Sequence, residues 1–168
     1  MKQIARLASS HLISRGTYTV SNLVPFSPIE QEARLRAITE EVLPTLPIGW
    51  TRFIIRAKVI GRHVERETGV KLPDGSVVGW LFDPEVWRMF MELRSGMYFP
   101  DVGTWVEFKF MMEPPGRFSI KYNRDQAPQF ETYPSREDFA LDKERYSRSD
   151  ANMPDWYRRG LNGEAPQD

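Results

Sequence analysis

The sequence predicts an α+β fold: a single domain with an antiparallel meander sheet of about five strands and with helices packed on one face. Three observations support this prediction. Apolar residues recur at every second position in several short segments, tight turns join these segments in pairs, and helical patterns stand before and after them. Strands and helices do not alternate as they do in nucleotide-binding sheets, so the strands are expected to pair as hairpins.

A length of 168 residues fits one domain that can bury a core without disulfides or metal. We assign residues 27–161 to this domain. Residues 1–26 are interpreted as an extended arm or strand of the same domain, because residues 16–24, "GTYTVSNLV", are rich in Thr, Tyr and Val. Residues 162–168 are expected to form a disordered tail.

The first helix is predicted to begin after Ser27. The Ser27 side chain can accept a hydrogen bond from the amide of Glu30, the Glu30 carboxylate can accept one in return, and Pro28 occupies the first helical position. Apolar residues then recur at three- and four-residue spacing until Pro44 and Pro47 stop the helix.

A first hairpin is predicted after Trp50, where the apolar period changes to two. If Gly61-Arg62 forms a two-residue turn, the partners across the hairpin are fixed. Two opposite-charge pairs then coincide on the outer face, Lys58 with Glu65 and Arg56 with Glu67. Residues 72–76, "LPDGS", predict another turn and a third strand carrying Val78, Trp80 and Phe82.

A second helix is predicted from the cap Asp83 and from Pro84 to Gly96, with Val86, Met89, Phe90 and Leu93 inward. A second hairpin follows around Pro114-Pro115-Gly116. Its three-residue loop pairs Met112 with Phe118, Phe110 with Ile120 and Phe108 with Tyr122, which predicts a dense aromatic core. Residues 135–146, "SREDFALDKERY", predict a helix capped by Ser135, with Phe139 and Tyr146 inward and a solvated acidic face.

Charge and composition limit the classes of function. The 23 basic and 23 acidic residues cancel, so no net field draws the chain to nucleic acid or to an anionic membrane. Without cysteine there are no disulfides or thiolate metal sites, and no stretch approaches the ~20 apolar residues of a membrane span. The N-terminus lacks the apolar run of a signal peptide, which indicates a cytoplasmic protein.

No catalytic or cofactor motif is present in the sequence, so we expect neither an enzyme nor a bound cofactor. The closest approach to a metal site is His63-x-Glu65-x-Glu67 on one strand face. The same face pairs Glu65 and Glu67 with Lys58 and Arg56, so an ion-paired face is preferred. The segment "DWYRR", residues 155–159, has the aromatics and arginines of a nucleic-acid stacking platform, but its neighbouring acids favour a protein contact.

Residues 86–161 carry a succession of motifs that resembles a known family. In order, these are a helix ending in Leu93-Arg94, strand starts at Gly103-Thr104-Trp105 and Gly116-Arg117-Phe118, then Tyr122, Asp125, Pro128 and Phe130, and finally Asn152-Met153-Pro154-Asp155-Trp156. This succession resembles the YezG-type antitoxins, especially the actinobacterial immunity proteins among them. Residues 1–49 show no such resemblance.

The resemblance implies a small cytoplasmic immunity protein encoded beside a secreted polymorphic toxin. Such a protein binds its cognate toxin, one to one, and covers the active site; the toxin expected here hydrolyses NAD, with nucleases as the other class guarded by relatives. The resemblance also implies that the Asn-x-Pro-Asp-Trp element closes the fold. We therefore expect residues 154–161 to form a short helix that docks Trp156 and Leu161 on the domain.

Two surfaces are predicted to contact the toxin. One is the polar face of the first hairpin and the other is the turn that follows it. Their residues are Arg52, Arg56, Lys58, Glu65 and Glu67 on the strands, and Lys71, Pro73, Asp74 and Gly75 in the turn. The competing hypothesis is a small enzyme or ligand-binding protein that uses a cleft between the sheet and the helices; a plain interaction module differs only in its partner.

Overall fold

A computed structural model describes residues 24–164 as one sheet of five antiparallel strands with four α-helices, which confirms the α+β prediction. The strands are β1 (Arg52–Ile60), β2 (His63–Lys71), β3 (Val77–Val78), β4 (Glu107–Glu113) and β5 (Arg117–Asn123), in the order β3-β2-β1-β4-β5. The helices are α1 (Pro28–Val42), α2 (Pro84–Gly96), α3 (Arg136–Arg145) and α4 (Asp155–Leu161). Residues 1–23 and 165–168 lie outside the description, and with them nearly all of the predicted arm.

Both hairpins have the predicted register. Across the first, Lys58 pairs with Glu65 and Arg56 with Glu67, and across the second, Phe110 pairs with Ile120. Gly61, in the first turn, has φ +59, and a Cβ on it would overlap the backbone of Asp138 in α3. Glycine is therefore required both by the turn and by the helix that lies against it.

The predicted third strand is much shorter than the alternation suggested, because pairing stops after Val78. Gly79 follows, and the Thr68 hydroxyl donates to the carbonyl of Trp80 at 2.9 Å, so a side chain replaces the ladder bond. Trp80 still reaches the core, where its ring meets Phe53 edge to face with centroids 5.2 Å apart. The prediction of a strand that carries Val78, Trp80 and Phe82 is therefore wrong beyond Val78.

The three helix starts that were predicted from capping side chains are confirmed. Ser27 and Ser135 each form a reciprocal capping box, with Glu30 and Asp138, and Asp83 accepts from the amide of Glu85 at 2.7 Å. α2 ends at Gly96 as predicted. Each cap satisfies amides at a helix start that have no intrahelical partner.

The apolar face of β1 and β4 forms the main core together with α1 and α2. Phe90 of α2 stacks on Phe108 with ring centroids 4.3 Å apart and meets Phe110 edge-on at 5.7 Å. α3 and α4 contribute to a second cluster, which gathers Ile60 with the side chains Phe139, Trp156 and Tyr157. The packing of all helices on one face stays a prediction.

α4 docks on the domain, as the expected closing segment should. Tyr157 is fully buried, Trp156 is 8% exposed, and its indole nitrogen donates to the carbonyl of Asp125 at 2.8 Å. Leu161 is partly buried against the same cluster. Backbone bonds continue to Glu164, whose amide donates to the carbonyl of Arg159, so residues 162–164 of the predicted tail form the turn that closes this helix.

A buried ion pair joins α2 to α3. The sequence predicted a solvated acidic face on α3, and this prediction is wrong for Asp142. Arg94 and Asp142 are 3% and 2% exposed, and Arg94 Nη2 donates to Asp142 Oδ1 at 2.7 Å. The same carboxylate accepts from the Gly61 amide at 3.0 Å and from the Tyr157 hydroxyl at 3.0 Å. Burial and this carboxylate together raise the pKa of Tyr157 above its ordinary value. The Asp142 side chain of α3 thus connects α2, α4 and the turn of the first hairpin.

Between residues 24 and 164, the structure contains no helix long and apolar enough to cross a membrane.

Candidate functional site

The side chains of β2, β1, β4 and β5 that point away from the main core form one surface, which we call the open face. Strand register arranges them in four cross-strand rows. Opposite residues on neighbouring antiparallel strands have Cβ atoms about 4.5–5.5 Å apart, so each row is a line of neighbouring residues. The rows differ sharply in chemistry.

The row nearest the turn that follows β2 is charged and exposed. Arg52 Nε and Nη2 donate to Glu113 Oε1 at 3.1 and 2.8 Å, and Arg117 lies opposite Glu113 on β5. Lys71 lies opposite Arg52 on β2. Exposed pairs of this kind contribute about 0–1 kcal/mol each, so they define register and charge more than stability.

The second row is uncharged. It consists of Ile54 and Met111 at its centre, with Gly69 and Ser119 on the outer strands. Ile54 and Met111 are half-buried although they point away from the main core. An apolar centre between charged rows is the usual anatomy of a protein–protein interface, whose core is depleted of charge and whose rim is polar.

The third row is dominated by cations, and we call Arg56, Lys109 and Lys121 the cation row. Arg56 lies opposite Lys109, and Lys109 lies opposite Lys121. The row contains one carboxylate, Glu67, whose Oε2 lies 3.3 Å from Arg56 Nη1.

The fourth row is partly covered by residues 126–132, which we call the strap. Lys58 and Glu65 pair at 3.0 Å, and both bind the strap: Lys58 donates to the carbonyl of Gln129, and Glu65 Oε1 accepts from the Thr132 amide at 3.0 Å. His63 supports the strap from the same strand, with its ring edge-to-face on Phe130 at 5.6 Å. The strap is therefore fixed to the sheet by side chains of the first hairpin.

The carboxylate of Glu65 is strongly biased towards its ionised form. Burial opposes ionisation, but hydrogen bonds from the amides of Thr132 and Glu131, from Lys58 and from His63 outweigh it. Together they lower the pKa of Glu65 from 4.5 to about 2. Because the folded pKa is depressed, the stability that Glu65 contributes is complete above pH 4.5 and is lost as the pH falls through about 2.

The strap and the open face together enclose a groove of 880 Å³. Its floor includes the cation row, and its far wall includes Gln126, Gln129 and Glu131 from the strap. A volume of this size accommodates a small ligand or a few side chains of a partner.

The structure divides the predicted contact residues into two groups. Arg56 and Glu67 have side chains 48% and 71% exposed, whereas Lys58 and Glu65 are 23% and 16% exposed and hold the strap. Glu65 also lies 3.2 Å from His63 Nε2, and Glu67 turns to Arg56, so the His63-x-Glu65-x-Glu67 motif is engaged in internal contacts. Across residues 24–164, no three His, Cys, Asp or Glu side chains are grouped to hold a metal.

The predicted turn projects at one end of the open face. Leu72 N donates to Ser76 O at 2.9 Å, Gly75 has φ +86 as a turn glycine, and Pro73 is exposed. Hydrogen bonds from the Ser76 hydroxyl and amide lower the pKa of Asp74, whose charge is retained in the turn. Four large apolar side chains between residues 48 and 81 are exposed: Ile48 at 103%, Val77 at 68%, Val78 at 40% and Leu81 at 93%.

Sequence reasoning missed Ile54, Met111, Lys109 and Lys121. Alternation within the second hairpin could have placed Lys109 opposite Lys121 on its outer face. The pairing of β1 with β4 could not be obtained in this way, since the two strands are separated by β2, β3 and α2. The rows exist only because these distant strands are neighbours.

We expect Glu65→Gln to loosen the strap while leaving the sheet folded. A neutral amide is a weaker acceptor than a carboxylate, and the loss should be on the order of 1 kcal/mol, or roughly fivefold faster exchange of the Thr132 amide by NMR. Glu67→Gln, the same change two residues further along β2 at an exposed pair, is the control. Equal exchange rates in both variants would show that Glu65 does not fix the strap. The pH dependence of stability between about 2 and 4.5 should also flatten in Glu65→Gln.

No family model matches the chain, and no curated protein matches it.

Proposed function

We propose that this protein is an immunity protein, which binds a cognate secreted toxin one to one in the cytoplasm and blocks the toxin's active site by covering it. The observation that supports this most is the anatomy of the open face. An apolar centre at Ile54 and Met111 lies between a charged, exposed row and the cation row, as in a protein-binding surface.

The resemblance of residues 86–161 to YezG-type antitoxins supplies the identity of the partner. The motifs that carry it lie in residues 86–161, which include β4, β5 and the docked α4, and it does not draw on the exposed charges of β1 and β2. The toxin we expect hydrolyses NAD.

The proposed mechanism requires no chemistry from the immunity protein. A stable complex buries about 1,200–2,000 Å² in total, and shape and charge complementarity over that area suffice to exclude substrate. The turn at Pro73, Asp74 and Gly75 is suited to enter the toxin's active-site cleft. The open face would contact the toxin surface around that cleft.

The alternative, a ligand site between the sheet and the helices, finds less support. The space between β4 and α2 is occupied by packed rings of Phe90, Phe108 and Phe110. The groove of 880 Å³ lies instead on the open face, under the strap.

The direct experiment is to purify this protein with the product of the neighbouring gene and to follow NAD loss with and without it. A stoichiometric complex that prevents NAD loss is the expected result. A complex with a toxin of another activity would support the immunity function and would replace NAD hydrolysis as the toxin's expected activity. The absence of any complex would overturn the proposal.

Met111→Arg tests whether the open face forms the contact. The side chain points away from the main core, so the variant should fold, yet an arginine at the apolar centre should weaken binding at least about tenfold. Ile29→Arg, on α1 at a position 82% exposed, is the matched control and should bind as the unaltered protein does. Equal affinities for both variants, measured by calorimetry, would exclude the open face.

A further inference from the structure

The cation row is unusual because like charges face one another across both of its strand pairs. Arg56 opposes Lys109, and Lys109 opposes Lys121. Like charges directly opposite on neighbouring strands destabilise a sheet. The single carboxylate of this row, Glu67, stands at its far end and pairs with Arg56.

Neither lysine of the row is neutralised by the described chain. Lys109 and Lys121 make no ion pair within residues 24–164. Glu107 neighbours Lys109 along β4, but its Oε2 accepts from Asn123 Nδ2 at 2.9 Å. The two lysines are thus cross-strand neighbours that both line the groove, where a partner's negative charge would relieve the repulsion between them.

We infer that Lys109 and Lys121, with Arg56, recognise an acidic segment of the protein partner, a loop or helix end carrying Asp or Glu that enters the groove beneath the strap. This inference rests on the proposed function, since it names the chemistry of the surface that the partner presents. It extends that function to Lys109 on β4 and Lys121 on β5, which lie outside the surfaces predicted from the sequence.

The surroundings favour a polypeptide over nucleic acid as the occupant. Four glutamates, Glu65, Glu67, Glu107 and Glu131, line the same groove, so a continuous phosphate backbone would meet four carboxylates. The net charge of zero gives no long-range attraction for a polyanion. A polypeptide can direct isolated carboxylates at the lysines and keep its other side chains away from the acids.

The neighbouring row strengthens the case for a polypeptide. Ile54 and Met111 lie beside Arg56 and Lys109 on the same two strands, two residues along each. A segment that alternates acidic and apolar side chains could cover both rows at once. An inorganic anion or a nucleotide phosphate would leave the apolar row uncovered.

The test uses Lys109→Glu, Lys121→Glu and the double variant. In the free protein, Lys109→Glu places a carboxylate between Arg56 and Lys121, so its melting temperature should equal or exceed that of the unaltered protein. The melting temperature separates an effect on binding from an effect on folding. A variant with a lower affinity for the partner and an undiminished melting temperature has lost a contact with the partner. Arg36→Glu, on α1, changes the net charge equally and is the control.

With the purified partner, each reversal should weaken binding at least about tenfold, and the salt dependence of the association rate should become shallower. Arg36→Glu should bind within about twofold of the unaltered protein. A partner that binds the unaltered protein and both lysine variants equally would overturn the inference while leaving the proposed function in place.

A second measurement does not depend on the partner's identity. A poly-glutamate peptide titrated at low salt should shift the NMR signals of Arg56, Lys109 and Lys121, and the double reversal should abolish these shifts. A single-stranded oligonucleotide of equal charge should bind more weakly. No shift with the peptide, or tighter binding of the oligonucleotide, would overturn the assignment to an acidic polypeptide even if an immunity complex forms.

Discussion

Asp142→Ala is expected to lower the free energy of unfolding by about 3–5 kcal/mol, measured by urea denaturation, because it leaves Arg94 buried without its counter-charge. The carboxylate also serves the Gly61 amide and the Tyr157 hydroxyl, and both would lose a buried acceptor. Lys143→Ala, the next residue of α3 and exposed, should change stability by no more than about 0.5 kcal/mol.

A second pair of variants isolates the charge. Asp142→Asn keeps an acceptor in place and removes only the negative charge, so it too should destabilise, since Arg94 stays charged. Adding Arg94→Met to Asp142→Asn should recover part of the loss, because the uncompensated charge is then gone. Additive effects of the two changes, or a loss below about 1 kcal/mol in Asp142→Ala, would show that the pair does not hold α2 to α3.

Trp156→Ala is expected to cost about 3–5 kcal/mol, the usual range for truncating a large buried aromatic side chain. The indole fills the second cluster against Phe139, with ring centroids 6.1 Å apart, and donates to the Asp125 carbonyl. The measurement is again urea denaturation, followed by far-UV circular dichroism because the substitution removes a fluorophore.

Asp155→Ala provides the control for Trp156→Ala. It changes the neighbouring exposed residue in the first turn of α4, where an acidic side chain contributes about 0.3–1 kcal/mol. If Trp156→Ala costs no more than this control, or if NMR relaxation shows residues 155–161 moving independently of the sheet, the docking of α4 does not stabilise the fold.

Local chemistry made much of this fold predictable. The Gly61 turn fixes the partner of every residue in the first hairpin, and the alternation of apolar residues decides which side is buried. The capping residues Ser27, Asp83 and Ser135 mark helix starts for the same reason, since each acts within three residues of itself.

Features that depend on distant contacts were not predictable in this way. By helical spacing alone, Asp142 is one of several acidic residues on a polar face. Its burial depends on an ion pair with Arg94 of α2, which lies 48 residues earlier in the sequence. In the same way, Lys58 and Glu65 were correctly paired, but their binding to the strap requires residues 126–132 to cross the sheet. The predicted strand ends at Val78, and beyond it the carbonyl of Trp80 accepts from the Thr68 hydroxyl, a side-chain contact that apolar alternation does not reveal.

The central position of β1 has a consequence for how binding and folding are linked. Hairpins form early because their contacts are local. β1 and β4, in contrast, are separated in sequence by β2, β3 and α2, and bringing them together closes a long stretch of chain at a cost in entropy. Ile54 meets Met111, and Arg56 meets Lys109, only after that closure, so a half-folded chain with two correct hairpins would present neither row in full. A partner that recognises both rows binds the native state alone, and it should raise the melting temperature in proportion to the logarithm of its concentration.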